Sequence, residues 1–278
     1  MSSAHAQLAE VVPLVKHCVL KVEALDYRVS SPRHDTPQYI LKQLQLEVND
    51  QEFVSIVGPS GCGKSTLLNF IAGLTEIQSG QITLANTPSG ALPHLGYMFQ
   101  QHGLLPWRSV RDNVALGLEI AATDKMQIRD RVTQIIAEMG LAGYEDHFPS
   151  QLSGGMCQRV SLARTLITNP DIILMDEPFG ALDAQTRIFI QEMFNAWREA
   201  HQKTVLFVTH DLAEAIFLSD RIVVMGTRPG RVVAEYQINL PRPRDFDSLR
   251  ASAPFNTLLN QIWRDIKTQT LNGGAADE

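Results

Sequence analysis

No stretch of this 278-residue sequence approaches the roughly 20 consecutive apolar residues that a membrane-spanning helix needs. Any membrane role must therefore come through a partner. Cysteine is scarce: Cys18, Cys62 and Cys157 are scattered, with neither a CxxC pair nor a zinc-ligand spacing. That excludes a disulfide framework and fits reduced thiols in a cytosolic protein. Basic residues are outnumbered, 24 Lys and Arg against 30 Asp and Glu, for a formal charge of −6. Such a balance gives no electrostatic footprint for nucleic acid or anionic lipid. Repeats and low-complexity blocks are missing, and with 44% hydrophobic residues the composition is that of an ordinary globular chain. The N-terminal tail, residues 1–17, lacks a basic start and its short apolar run is broken by Pro13, so no signal peptide is expected.

What the sequence does contain is a series of short β-branched or aromatic runs at 54–57, 81–84, 95–99, 171–175, 204–209, 221–225 and 231–235. Each is strand-sized and largely apolar, as in strands covered on both faces. Helical stripes lie between several of them. Ile190, Met193, Phe194 and Trp197 fall at i, i+3, i+4, i+7, and Val132, Ile135, Ile136 and Met139 repeat the spacing before a capping Gly140. Strands alternating with helices predict an α/β fold with a mainly parallel sheet. Residues 101–168 read as helices without strands, a helical subdomain inserted in a domain spanning 18–240. A short extension over 241–278 holds one amphipathic helix at about 255–266.

Gly58-Pro59-Ser60-Gly61-Cys62-Gly63-Lys64-Ser65, with Thr66 next, fits the GxxxxGK-plus-Ser/Thr phosphate loop. A strand precedes it and a helix follows, the context the motif requires. Its glycines let backbone N–H groups converge on phosphate oxygens at a helix N-terminus. Lys64 would reach the β- and γ-phosphates of ATP, and the Ser65 hydroxyl would hold Mg²⁺. Cys62 occupies a variable position and reads as space-filling. Farther on, an apolar run ends in Asp176 and Glu177. Side chains alternate along a strand, so the two carboxylates are expected to point apart, Asp176 to the magnesium shell and Glu177 to an attacking water.

Leu152-Ser153-Gly154-Gly155-Met156 resembles the signature that defines ABC-type ATPases, placed as in that family between phosphate loop and acidic strand. Ser153 suits an N-cap, and the glycines leave backbone N–H groups exposed. The resemblance spans roughly residues 20–235 and implies a P-loop ATPase core with an antiparallel β part. It implies that Ser153, Gly154 and Gly155 complete the ATP site of a second, identical or homologous subunit. By the same resemblance Gln100 is the glutamine that senses Mg²⁺ and water, Ala181-Leu182-Asp183 the loop linking the two sites, and His210 the γ-phosphate switch. Cys157 stands where relatives carry a basic residue, and Val29 stands where relatives stack an aromatic on adenine. Tyr27 and Tyr39 are nearby alternatives, and the role stays unassigned.

By composition alone the apolar segment at 103–107, which ends in Trp107, is expected to pack on its own helices; by the resemblance it lies where the family docks an integral membrane permease. Together with residues 179–184 and Arg228-Pro229-Gly230-Arg231 it is similar to importers of nitrate, sulfonate and taurine. These imply a periplasmic or extracellular substrate-binding protein and a peripheral place on the cytoplasmic face of a bacterial membrane. Two alternatives stand beside the importer: a non-transport ABC ATPase and an ordinary P-loop kinase or GTPase. The first usually carries a long coiled-coil insertion or a tandem ATPase, and the second lacks the signature. The stretch after residue 240 is too short for the regulatory domain of sugar importers.

Overall fold

The computed structural model describes residues 17–31, 34–85 and 90–274. The tail over 1–17 lies outside the described residues except for His17. In chain order the elements are β1 (Cys18–Ser31), β2 (His34–Asn49), β3 (Phe53–Val57), α1 (Lys64–Ile71), β4 (Ser79–Leu84), β5 (Leu95–Met98), α2 (Val110–Ile120), α3 (Lys125–Glu138) and α4 (Gly154–Leu166). They continue as β6 (Ile172–Asp176), α5 (Ala184–His201), β7 (Thr204–Val208), α6 (Leu212–Leu218), β8 (Arg221–Gly226), β9 (Arg231–Gln237), α7 (Phe246–Arg250) and α8 (Ala253–Gly274).

Two sheets result. The larger has six strands in the order β5-β6-β7-β3-β8-β9, parallel throughout except for β9, which returns antiparallel beside β8. The smaller is antiparallel, β2-β1-β4. The α/β, mainly parallel expectation with an antiparallel part holds. β3 lies centrally between β7 and β8, and all five of its residues are buried, which is why four of them are apolar with no alternation, while the buried Ser55 pairs with the Ser219 hydroxyl. One core gathers Phe53, Phe179, Phe194 and Phe207 on the α5 side; the other packs α1 and the antiparallel sheet on the opposite face.

The seven strand-sized runs all appear, within two residues of the expected limits. β1 and β2 have no counterpart among those runs, because bulges break their alternation. Ala24 and Gln43 take positive φ values of 47° and 48°, and the pairing slips between Val22 and Leu25. Inward-facing residues therefore run Leu20, Val22, Leu25 on one strand and Leu41, Leu44, Leu46 on the other, each skipping a beat where a clean period of two was sought. The chain is strand on both sides of residues 32–33. Residues 101–168 contain α2, α3, α4 and a 3₁₀ turn at Pro149–Gln151, without a strand. Past residue 240, α8 is longer than the expected helix and buries Phe255 and Ile262.

Candidate ATPase site

The carboxyl ends of β3, β6 and β7 lie at one edge of the sheet, with Asp176 in register with Val208 and Ile56 beside the same residue. Loops leaving that edge carry the chemistry, as parallel sheets dictate. The turn from β3 to α1 is over-determined by its own chain. Gly58 (φ 156°) would place a Cβ 2.4 Å from the Met225 carbonyl oxygen, and Gly63 (φ 96°) one 2.5 Å from Leu41 Cδ2. Gly230 of the β8–β9 turn would meet the Cys62 carbonyl, and its N–H bonds to the Ile40 carbonyl at 2.9 Å. The Arg228–Arg231 motif thus buttresses the phosphate loop from behind. Cys62 is 1% exposed, and burial pushes its thiol up, consistent with a filling role. Lys64 is buried and donates to the carbonyls of Gly58 at 2.9 Å and Pro59 at 3.1 Å.

Ser65 Oγ donates to Asp176 Oδ1 at 2.9 Å. Burial raises the Asp176 carboxyl, the Ser65 hydrogen bond opposes that, and Glu177 adds to it. Glu177 faces elsewhere: its Oε2 lies 3.0 Å from His210 Nδ1. The two carboxylates do part, but not by strand alternation. β6 ends at Asp176, and Glu177 takes a left-handed φ of 45° with its N–H bonded to the Val208 carbonyl at 2.9 Å. A side chain held in that region is strained by about 1–3 kcal/mol, and such strain gathers at functional sites. Glu177 also lines a cleft of about 430 Å³ with Ser60, Gly61, Gly63, Lys64, Ser65 and Thr66. The far wall is Tyr27, Val29 and Ile40, the last not anticipated from sequence. Tyr27 is pinned edge-on to Phe70 at 5.0 Å, whereas Tyr39 is drawn away under the Arg28 guanidinium, 4.2 Å above its ring.

A match to the ABC transporter family covers residues 41–180. The chain belongs to the ABC transporter ATPase family. It is 46% identical to an uncharacterized ABC transporter ATP-binding protein of Methanocaldococcus jannaschii, over 83% of this chain and 85% of the other. The taurine import ATP-binding protein TauB of Rhizobium johnstonii is 44% identical, over 83% of this chain and 90% of that one. Among solved structures, the dimeric ATP-binding cassette MJ0796 in a post-hydrolysis state with ADP and phosphate superposes with a TM-score of 0.69 at 33% identity. That alignment covers 80% of this chain and all of the other. The chain is thus an ATP-binding, ATP-hydrolysing subunit of a transporter.

Other residues of this ABC ATPase stand apart from the cleft. Ser153 caps α4, its side chain accepting from the Met156 N–H at 3.3 Å. Gly155 packs close on Thr186, but a Cβ on Gly154 would meet nothing within 4 Å. Asp183 caps α5 through the Thr186 N–H at 3.0 Å. Gln100 is exposed just past β5. Cys157 donates to the Pro149 carbonyl at 3.6 Å, while Arg159 caps α3 at the carbonyls of Met139 and Gly140. Trp107 is 72% exposed on a loop fixed from beneath. The buried Asn113 side chain binds both backbone groups of Leu105, and Arg164 donates to the carbonyls of His102 and Gly103. No helix among the described residues is long and apolar enough to cross a membrane.

Proposed function

We propose that this chain powers a bacterial importer of small sulfonate-, taurine- or nitrate-like solutes. It works as one of a pair at the cytoplasmic face of the membrane, beneath permease subunits supplied by a substrate-binding protein. The observation that carries the ATPase reading is the meeting of Ser65–Asp176 and Glu177–His210 around one phosphate-loop cleft. The domain reading is a cassette over 18–240 with a helical subdomain at about 101–168 and a C-terminal extension after it. The named relative is a taurine importer subunit, which supports the solute class.

In this mechanism Lys64 exchanges the carbonyls of Gly58 and Pro59 for the β- and γ-phosphates, which supply the countercharge that neutral carbonyls lack. The backbone from Ser60 to Thr66 cradles the remaining oxygens. While His210 Nδ1 stays 3.0 Å from Glu177 Oε2, the imidazole occupies the carboxylate that would serve the lytic water. Engagement of the γ-phosphate therefore goes with transfer of His210 from Glu177 to ATP, and this leaves the Glu177 carboxylate to accept the proton of the lytic water. Ser153, Gly154 and Gly155 complete the partner's site, donating from the bare start of α4.

The donor set fits Mg²⁺: a hydroxyl and a carboxylate already within 2.9 Å, both hard oxygens, on a half-buried acid whose charge needs compensation. Ser65 and Asp176 would hold the ion, with the Gln100 amide oxygen as a further ligand. Bound there, it supplies charge neutralisation for the phosphates.

Trp107 tests the transport half. An exposed aromatic anchor contributes on the order of 2 kcal/mol or more once buried in an interface. Trp107→Ala should leave the melt of the purified subunit unchanged while weakening capture of the permease. Uptake of labelled taurine, an alkanesulfonate and nitrate by the assembled system then identifies the solute class. Full ATPase coupling without uptake of any of the three would refute the importer class, and a large loss of melting temperature would refute docking through Trp107.

A further inference from the structure

The His210 side chain is 63% exposed, yet both of its neighbours are held tightly. Thr209 is 2% exposed. Its Oγ1 donates to Glu214 Oε2 in a close contact and accepts the Asp211 N–H at 3.0 Å. Glu214 is 5% exposed, and its other oxygen accepts from the buried Gln191 amide at 2.6 Å. Asp211 caps α6 with Oδ1, while its Oδ2 takes Arg187 Nη1 at 3.3 Å. Arg187 also donates through Nη2 to the Leu182 carbonyl at 2.9 Å.

Arg187 and Gln191 are four residues apart and share one face of α5. That face thus grips the turn at 209–211 on both sides of His210, and Arg187 reaches back to the loop before α5 begins. The crevice among these groups encloses only about 10 Å³, room for one water at most. The coupling is therefore direct, side chain to side chain.

We propose that Thr209, Glu214 and Arg187 are positioning residues for His210, joining the switch turn through α5 to the loop at Leu182 and Asp183. The inference rests on the reading of His210 as the γ-phosphate ligand. It assigns the three residues to orientation of that imidazole: displacement of the 182–183 loop pulls on Asp211 through Arg187 and so turns His210 toward or away from Glu177.

The test uses the full-length chain with isotopically labelled histidine, the His210 ring signal being the one lost in His210→Gln. Thr209→Val, Glu214→Ala and Arg187→Met should each shift that signal in the nucleotide-free protein. In the transporter assembled with its permease, each should lower kcat by about tenfold or more, as misplacement of a reacting group does, with the KM for ATP held within about twofold. Glu214→Gln should restore what Glu214→Ala loses, since its amide accepts from Gln191 and donates to Thr209. If Glu214→Ala does not fold, Thr209→Val, nearly isosteric, carries the measurement. An unmoved His210 signal in Thr209→Val and Arg187→Met overturns the clamp. A moved signal with unchanged kcat overturns its role in turnover while leaving the His210 assignment standing. Full turnover in His210→Gln itself overturns that assignment, and the positioning role falls with it.

Discussion

Two glycine-rich turns start helices in this molecule, and they answer to different surroundings. The phosphate loop before α1 has glycines imposed from within: Met225 leaves no room for a Cβ at Gly58, Leu41 none at Gly63, and Lys64 is satisfied by loop carbonyls. The turn before α4 is half different. Gly155 is needed by the packing of Thr186, whereas Gly154 has open space where its Cβ would be. In the phosphate loop packing demands glycine at Gly58 and Gly63, and Gly61, with open space around it, is held to glycine by its φ of 78°. Gly154 has neither reason, with no positive φ and nothing within 4 Å; the proposed contact of this turn with a second subunit would supply one.

The largest expected effect belongs to neither turn but to the acid between them. Glu177→Gln should cut ATP turnover about 100-fold or more, because an amide cannot take the proton of water, while nucleotide binding persists and the ATP-bound dimer accumulates in sizing experiments. Wild-type turnover would remove Glu177 from the chemistry. Next, Lys64→Ala should weaken nucleotide binding by the single subunit, whereas Ser153→Arg should leave that binding intact and block dimerisation. Titration and sizing of both variants distinguish the two turns; equal loss of monomer binding would mean that α4 serves its own chain's cleft.

Substitution of the glycines themselves sharpens the contrast. Gly63→Ala, at φ 96° and 2.5 Å from Leu41, should cost about 1–3 kcal/mol of folding stability. Gly154→Ala should change the melt little, by about 0.5 kcal/mol or less, yet reduce ATP-driven dimerisation. A melt that ranks them the other way would dissolve the comparison.

The smallest effect is a pH dependence. Burial pushes Glu214 up to about 7, with Thr209, Gln191 and Arg187 opposing the shift and Asp211 adding to it. The folded state then holds a proton that the unfolded chain gives up near its ordinary value of 4.5, so stability on this account falls as pH rises through that window. Glu214→Gln lacks the titration. Its folding free energy should gain on wild type between about pH 5 and pH 8, by on the order of 1–3 kcal/mol, and a constant difference would place the carboxyl in water.

The sequence by itself determined what short-range pattern can carry. β3 is a run of five buried residues leading straight into the phosphate loop, so motif, strand and helix lie within about twenty residues of one another. β6 ending at its acids and the stripe of α5 were legible for the same reason: each is one element with one period. The tertiary structure decided where contacts cross the chain. Bulges at Ala24 and Gln43 hid β1 and β2, since each shifts the inward face by one residue and erases the period of two. Glu177 owes its direction to a left-handed backbone tied to Val208, and not to strand alternation. Gly230 is fixed by the Cys62 carbonyl across more than a hundred and sixty residues. The clamp on His210 joins Arg187, Gln191, Thr209 and Glu214 from two helices and a turn. None of these leaves a periodic trace, because a hydrogen bond between distant elements imposes a residue type at one position each and no spacing between them.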